Sequence, residues 1–161
     1  MSDYRINLLF SLHSGKTKMN KLLSIMFVTA LLANCTSLTH AEKTRLQELK
    51  AEGITIDHPR SHWERPASPV AAGALNILPG FGNFYLAAGE AGDSNFYLYG
   101  FLNLLTWPIS VIWGIPEAAI DASTINKREL IFYYDYNRAG KARLAEIMTE
   151  NRTTPPVVTT K

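Results

Sequence analysis

The sequence predicts a mostly α protein with no large sheet. It reads as a cleaved signal, a short helix, a membrane-associated helical hairpin broken by proline and glycine, and C-terminal helices. Three observations carry this expectation. Pro66 to Gly89 and Ser94 to Pro116 hold no Lys, Arg, Asp or Glu. Runs of that length can cross about 30 Å of hydrocarbon at roughly 1.5 Å per residue. Thr39-His40-Ala41-Glu42 is a capping box ahead of KTRLQELKAEG. Pro116 suits the first position of a further helix, with Glu117 in its first turn.

Composition bounds the function classes. The 161 residues are 47% hydrophobic and 19% charged, and the hydrophobic share is concentrated in the two uncharged runs. A formal net charge of +2, with no dense Lys/Arg stripe, argues against nucleic acid as a partner. One cysteine excludes an intramolecular disulfide framework and a multi-cysteine zinc site.

Six segments follow in order. Residues 1–18 look unlike the start of a signal and read as a start-site extension. Residues 19–34 are a signal peptide of bacterial type. Met19-Asn20-Lys21 is a short basic start, and Leu22 to Leu32 is an apolar core too short for a spanning helix. Residues 35–69 hold the capped helix, closed by Gly53, and a Pro-rich charged linker. Residues 70–122 form the hydrophobic hairpin, with arms Val70 to Leu78 and Phe96 to Trp113 broken at Pro79-Gly80 and Pro108. Residues 123–150 are a soluble helical part, read as a helix from Pro116, a turn over Asn137 to Gly140 and a helix from Lys141 to Met148; Leu130 to Tyr136 is compatible with strand or helix. Residues 151–161 read as a disordered polar tail.

The signal admits three outcomes. Leu32-Ala33-Asn34-Cys35 resembles a lipobox, which makes Cys35 the acylated first residue of the mature chain, although Asn34 replaces the usual small residue. Cleavage after Ala41 would instead release a secreted periplasmic protein starting at Glu42, and an uncleaved anchor is the third. Cutting after Ala41 removes the cap of the helix it exposes, which favours Cys35. Thr36 is not the Asp that marks inner-membrane retention, and inner and outer membrane both stay open.

The stretches PGFGNFYLA and GFLNLLTWPISVIWGIPEAAIDA resemble the two-transmembrane-helix (TM-two) domain family. The matching positions are Gly80, Gly82, Phe84, Tyr85, Leu86, Gly100, Trp113 and Asp121; Ala87 stands where the family favours Gly. The resemblance implies a helical hairpin in a membrane and no established chemistry.

Charge placement conflicts with a simple spanning hairpin. Both flanks are basic, with Arg60 and Arg65 before and Lys127 and Arg128 after, while the turn carries Glu90 and Asp93. The positive-inside rule puts both flanks in the cytoplasm, whereas an exported start puts the first flank outside. Partial insertion, a hairpin covered by partners, and a misleading signal each resolve the conflict.

Candidate chemistry is sparse. His58 and His62 are four apart, but Pro59 between them spoils a shared helical face for a metal. Glu117 and Asp121 would share a face and could act as paired carboxylates if buried. Asn76, Asn83 and Asn103 lie within the apolar arms, to hydrogen-bond across them or to line a polar path. GFG lacks the strand and spacing of a phosphate loop. The expectation is a non-enzymatic envelope lipoprotein with no catalytic, metal or cofactor residues. Its partners are the lipid bilayer, through Cys35 and the hairpin, and further copies or other envelope proteins. The alternative is a component of an oligomeric small-solute or ion pathway.

Overall fold

The computed structural model describes residues 37–153, all within one compact unit. The start-site extension, the signal peptide and Cys35 lie outside the described residues, as does the chain beyond Thr153. Six helices and no strand occur among the described residues: α1 (His40–Ala51), α2 (Pro69–Leu75), α3 (Phe81–Ala88), α4 (Asn95–Leu105), α5 (Val111–Tyr136) and α6 (Arg138–Thr153).

The capping box forms as its residues dictate. The Thr39 hydroxyl accepts from the Glu42 backbone N–H at 3.2 Å, and the Glu42 carboxylate accepts from the Thr39 N–H at 2.6 Å. That second bond, more than any other favourable contact, holds the Glu42 carboxyl below its usual range; Arg128 adds to it. Gly53 follows the helix at φ +76°, a conformation open to glycine.

Both predicted breaks in the uncharged segment are present. The first arm divides around Pro79-Gly80 into α2 and α3, and the second ends at Leu105, ahead of Pro108. No helix of the described residues is long and apolar enough to cross a membrane. The segment therefore folds as three short helices and the start of α5, not as two long arms.

Pro116 departs from its expected place at the start of a helix: it lies inside α5, which begins at Val111. The extra turn is held by tertiary contact, because Gly114 packs against the Asn76 side chain. The Leu130 to Tyr136 ambiguity resolves as helix, with Leu130, Ile131 and Tyr134 buried on one face. The turn expected over Asn137 to Gly140 contracts to Asn137 alone, whose side chain accepts from the Ala139 N–H at 2.9 Å and starts α6. α6 runs to Thr153, three residues into the segment read as a tail.

α5 serves as a ruler for the rest. Its first turn meets Asn76 at Gly114, and Gly73 of α2 lies against Ile115 and Ala119. Farther along, the Asn126 side chain clasps the Ala67 backbone at both ends, accepting at 3.1 Å and donating at 2.7 Å. So α2 runs against α5. α3 returns alongside it: Gly82 lies against Ala118, while Leu86, Ala91 and Gly92 line one small cleft with Ala67 and Ile125. α4 descends again, because Phe96 shares a core with Ala122 and Ile125 whereas Asn103 meets Ser110 and Trp113.

The second half of α5 belongs to a charged region built with α1, the linker and α6. Leu49, Ile54, Leu130, Ile131, Tyr134 and Ile147 form its core. Arg45–Asp135 at 2.7 Å, Arg128–Glu42 at 2.9 Å and Arg60–Glu150 at 2.8 Å tie its elements together. The Asp135 hydrogen bond is the largest factor raising the Arg45 pKa.

Candidate functional site

The strongest concentration of polar chemistry is a cluster inside the uncharged helices. Asn76 ends α2, Asn83 sits in α3, Asn103 in α4, and Trp113, Glu117 and Asp121 follow one another on α5. Burial of an unbonded amide costs more than its hydrogen bond returns, so each asparagine needs a partner inside. Asn103 Nδ2 donates to Asn83 Oδ1 at 3.1 Å, and Asn103 Oδ1 accepts from Trp113 Nε1 at 3.2 Å. Asn76 Oδ1 accepts from the Gly82 N–H at 3.1 Å. The Ser110 hydroxyl donates to the Asn103 carbonyl at 2.6 Å. The asparagines thus bond across the helices, one of the two uses open to them.

The carboxylates sit on the same side of α5. Asp121 is fully buried and Glu117 half-buried. Burial raises the Glu117 pKa most, and the neighbouring Asp121 carboxylate raises it further; a hydrogen bond with the Asn103 side chain works the other way. A half-buried acid with a raised pKa beside a second, buried acid is an arrangement able to hold a proton within an apolar surround. A raised folded pKa favours the protonated form in the fold. Its contribution to stability is complete below the usual Glu range and is lost as pH rises through the folded value. Glu117→Gln is therefore expected to melt with the native chain near pH 4 and to melt higher than it at neutral and alkaline pH. Thermal melts across that range check the crossing, and parallel curves would remove Glu117 from the titration.

The residues singled out by the family resemblance take packing roles around this cluster. Gly80 caps α3 at φ +83°, and its α-carbon lies so close to the Gly100 carbonyl that no Cβ fits. Gly82 leaves the same lack of room against the Ala72 carbonyl. The Phe84 ring occupies the space beside Gly100 and meets Phe101 edge-on at 5.5 Å. The Tyr85 hydroxyl accepts from the Ser68 N–H at 3.0 Å, fixing the linker to α3. Trp113 and Asp121 belong to the polar cluster itself.

His58 and His62 are not brought into a site. Both are exposed, and no group of three His, Cys, Asp or Glu able to hold a metal occurs among the described residues. Sequence reasoning did not single out Asn126 or Ser110. Asn126 lies four residues past the apolar Ala122, a spacing that could have placed it on that residue's buried face. Comparison with protein families, with curated proteins and with solved structures finds no match to this chain.

Proposed function

We propose that this chain is a non-enzymatic lipoprotein of a bacterial envelope, acylated at Cys35. Its uncharged helices associate with lipid, and its charged region faces water and other envelope proteins. The observation that carries the proposal is the surface of the uncharged helices. Val70, Ile77, Leu98, Leu105, Ile109 and Ile112 are all exposed, Leu105 to 80% and Ile112 to 79%. From Pro69 to Pro116 only Glu90 and Asp93 are charged, so this surface has no ionic rim to keep it in water. So many exposed large apolar side chains on one uncharged segment mark a membrane or protein contact.

Support for Cys35 as the first mature residue comes from the other region. Arg128 donates to the Ser37 carbonyl at 2.9 Å and to Glu42 at 2.9 Å. Cleavage after Ala41 would delete Ser37, Thr39 and the capping box together. A polar path between copies is the less supported reading, because Asn76, Asn83 and Asn103 are buried and bond within one chain through Asn76 Oδ1, Asn83 Oδ1 and both ends of the Asn103 amide, while Asn83 Nδ2 makes no such bond.

Intact-mass measurement of the mature protein tests the proposal. The expected product begins at Cys35 and carries acyl chains; a chain beginning at an unmodified Glu42 would refute the anchor.

A further inference from the structure

We infer that the uncharged helices enter a single leaflet, from the side on which the charged region stands, and turn back without reaching the far surface. The inference rests on the membrane attachment proposed above.

The ruler along α5 orders the segment by level. Ala67, at the end of the linker, is held by Asn126, and the Gly89–Gly92 part of the acidic turn lines a cleft with Ile125. The first flank, the second flank and the middle turn therefore share one level. The remaining turns, Asn76–Gly80 and Thr106–Ser110, lie at the opposite pole, beside Gly114. The path is down, up, down and up, and the acidic turn never crosses hydrocarbon; Glu117 and Asp121, the acids that α5 carries between the two levels, belong to the polar cluster among the helices. This removes the conflict posed by the charges: Glu90 and Asp93 do not have to lie across a bilayer from Arg65 and Lys127.

Depth agrees with one leaflet. α2, α3 and α4 have 7, 8 and 11 residues. At 1.5 Å per residue they rise roughly 10, 12 and 16 Å, against about 15 Å for half of the hydrocarbon core. The exposed side chains follow the same axis. Tyr97, near the start of α4, is exposed toward the shallow end of that helix, where an interfacial tyrosine belongs. Leu104, Leu105, Trp107, Ile109 and Ile112 are exposed at the deep pole.

The backbone of the two deep turns supplies an independent argument. Hydrocarbon offers no hydrogen-bond partner, so a turn placed there must satisfy its own N–H groups. In the first turn the Asn76, Ile77 and Leu78 N–H groups, and Phe81 just past it, donate to carbonyls within the segment, and of this turn's N–H groups only that of Gly80 makes no such bond. Thr106, Trp107, Ile109, Ser110 and Ile112 do the same. Pro79 and Pro108 have no N–H to satisfy. The Thr106 and Ser110 hydroxyls also turn inward, donating to the Leu102 and Asn103 carbonyls. Finally, the chain continues from Ser37, tied to Arg128 just beyond the shallow level, to Cys35 two residues away in sequence.

The test uses full-length chain with Cys35→Ser and one new cysteine at an exposed position, added to preformed vesicles of zwitterionic and anionic phospholipid. An environment-sensitive fluorophore on Leu105→Cys reads depth by quenching with lipids brominated at different acyl positions. Labelling of Glu64→Cys and Glu90→Cys with an impermeant maleimide reads sidedness. Single-leaflet entry is expected to give strongest quenching from bromines near the acyl termini, with both cysteines labelled equally from outside. At least tenfold protection of Glu90→Cys until detergent is added, with quenching intact, would overturn the inference and leave the membrane reading standing. Strongest quenching near the headgroups would also overturn it. No quenching from any acyl position would overturn the membrane reading itself.

Discussion

Gly80→Ala is expected to lower stability by about 2–5 kcal/mol, enough to shift the melt of the detergent-solubilised chain by on the order of 10 °C. Two penalties add at this position. At φ +83° an alanine side chain costs roughly 1–2 kcal/mol. Its Cβ would also strike the Gly100 carbonyl, a backbone atom that cannot rotate away. Moving that carbonyl means separating α3 from α4, with a further cost of about 1–3 kcal/mol. Gly53→Ala separates the two effects. Gly53 has φ +76°, but a Cβ there meets only the Arg60 side chain, at 3.6 Å. It should lose only the conformational part, about 1–2 kcal/mol. Equal losses at the two glycines would show that the close approach of α3 and α4 contributes nothing.

Asn103→Leu has the next largest expected effect, again about 2–5 kcal/mol. Leucine is similar in size, so the loss reflects chemistry more than a cavity. The substitution strands the Asn83 carbonyl oxygen and the Trp113 indole N–H, both of which bond to the Asn103 amide. A buried polar group without its partner costs about 1–3 kcal/mol. Asn95→Ala is the control: its side chain bonds Asp93 at the exposed start of α4, and its loss should stay within about 0.5 kcal/mol. Denaturant titration of both variants checks the difference. A leucine variant as stable as the native chain would show that the asparagines are dispensable to the fold.

Much of the fold was legible where a local rule acts alone. Thr39 with Glu42 announces a helix start, and Pro79-Gly80 and Pro108 announce breaks, because caps and missing donors work without tertiary partners. Pro116 misleads for the opposite reason. Alone it favours a helix start, but contact between Gly114 and Asn76 extends α5 backwards past it. Asn137 is a favoured helix cap by residue type, and its side chain starts α6 where Gly140 suggests a longer turn. The candidate site was legible only in part. Apolar context marked the three asparagines as internal, and the i, i+4 spacing put Glu117 and Asp121 together. No local signal pairs Asn126 with Ala67, or Tyr85 with Ser68, since each bond joins segments remote in sequence. The four-stroke path depends on those bonds, and so the level of the acidic turn was hidden.

The dependence of α2 and α3 on α5 has a consequence for synthesis. Gly73, Asn76 and Gly82 find their partners at Ile115, Gly114 and Ala118, while Ala67 waits for Asn126. A ribosome adds residues at about 5–20 per second, so the roughly 50 residues between the end of α2 and Asn126 take about 3–10 s. Through that interval the nascent chain presents its most apolar stretch with no core to enter. A chaperone that holds unfolded chains has its longest engagement there, and truncation before α5 leaves a polypeptide with nothing to close upon.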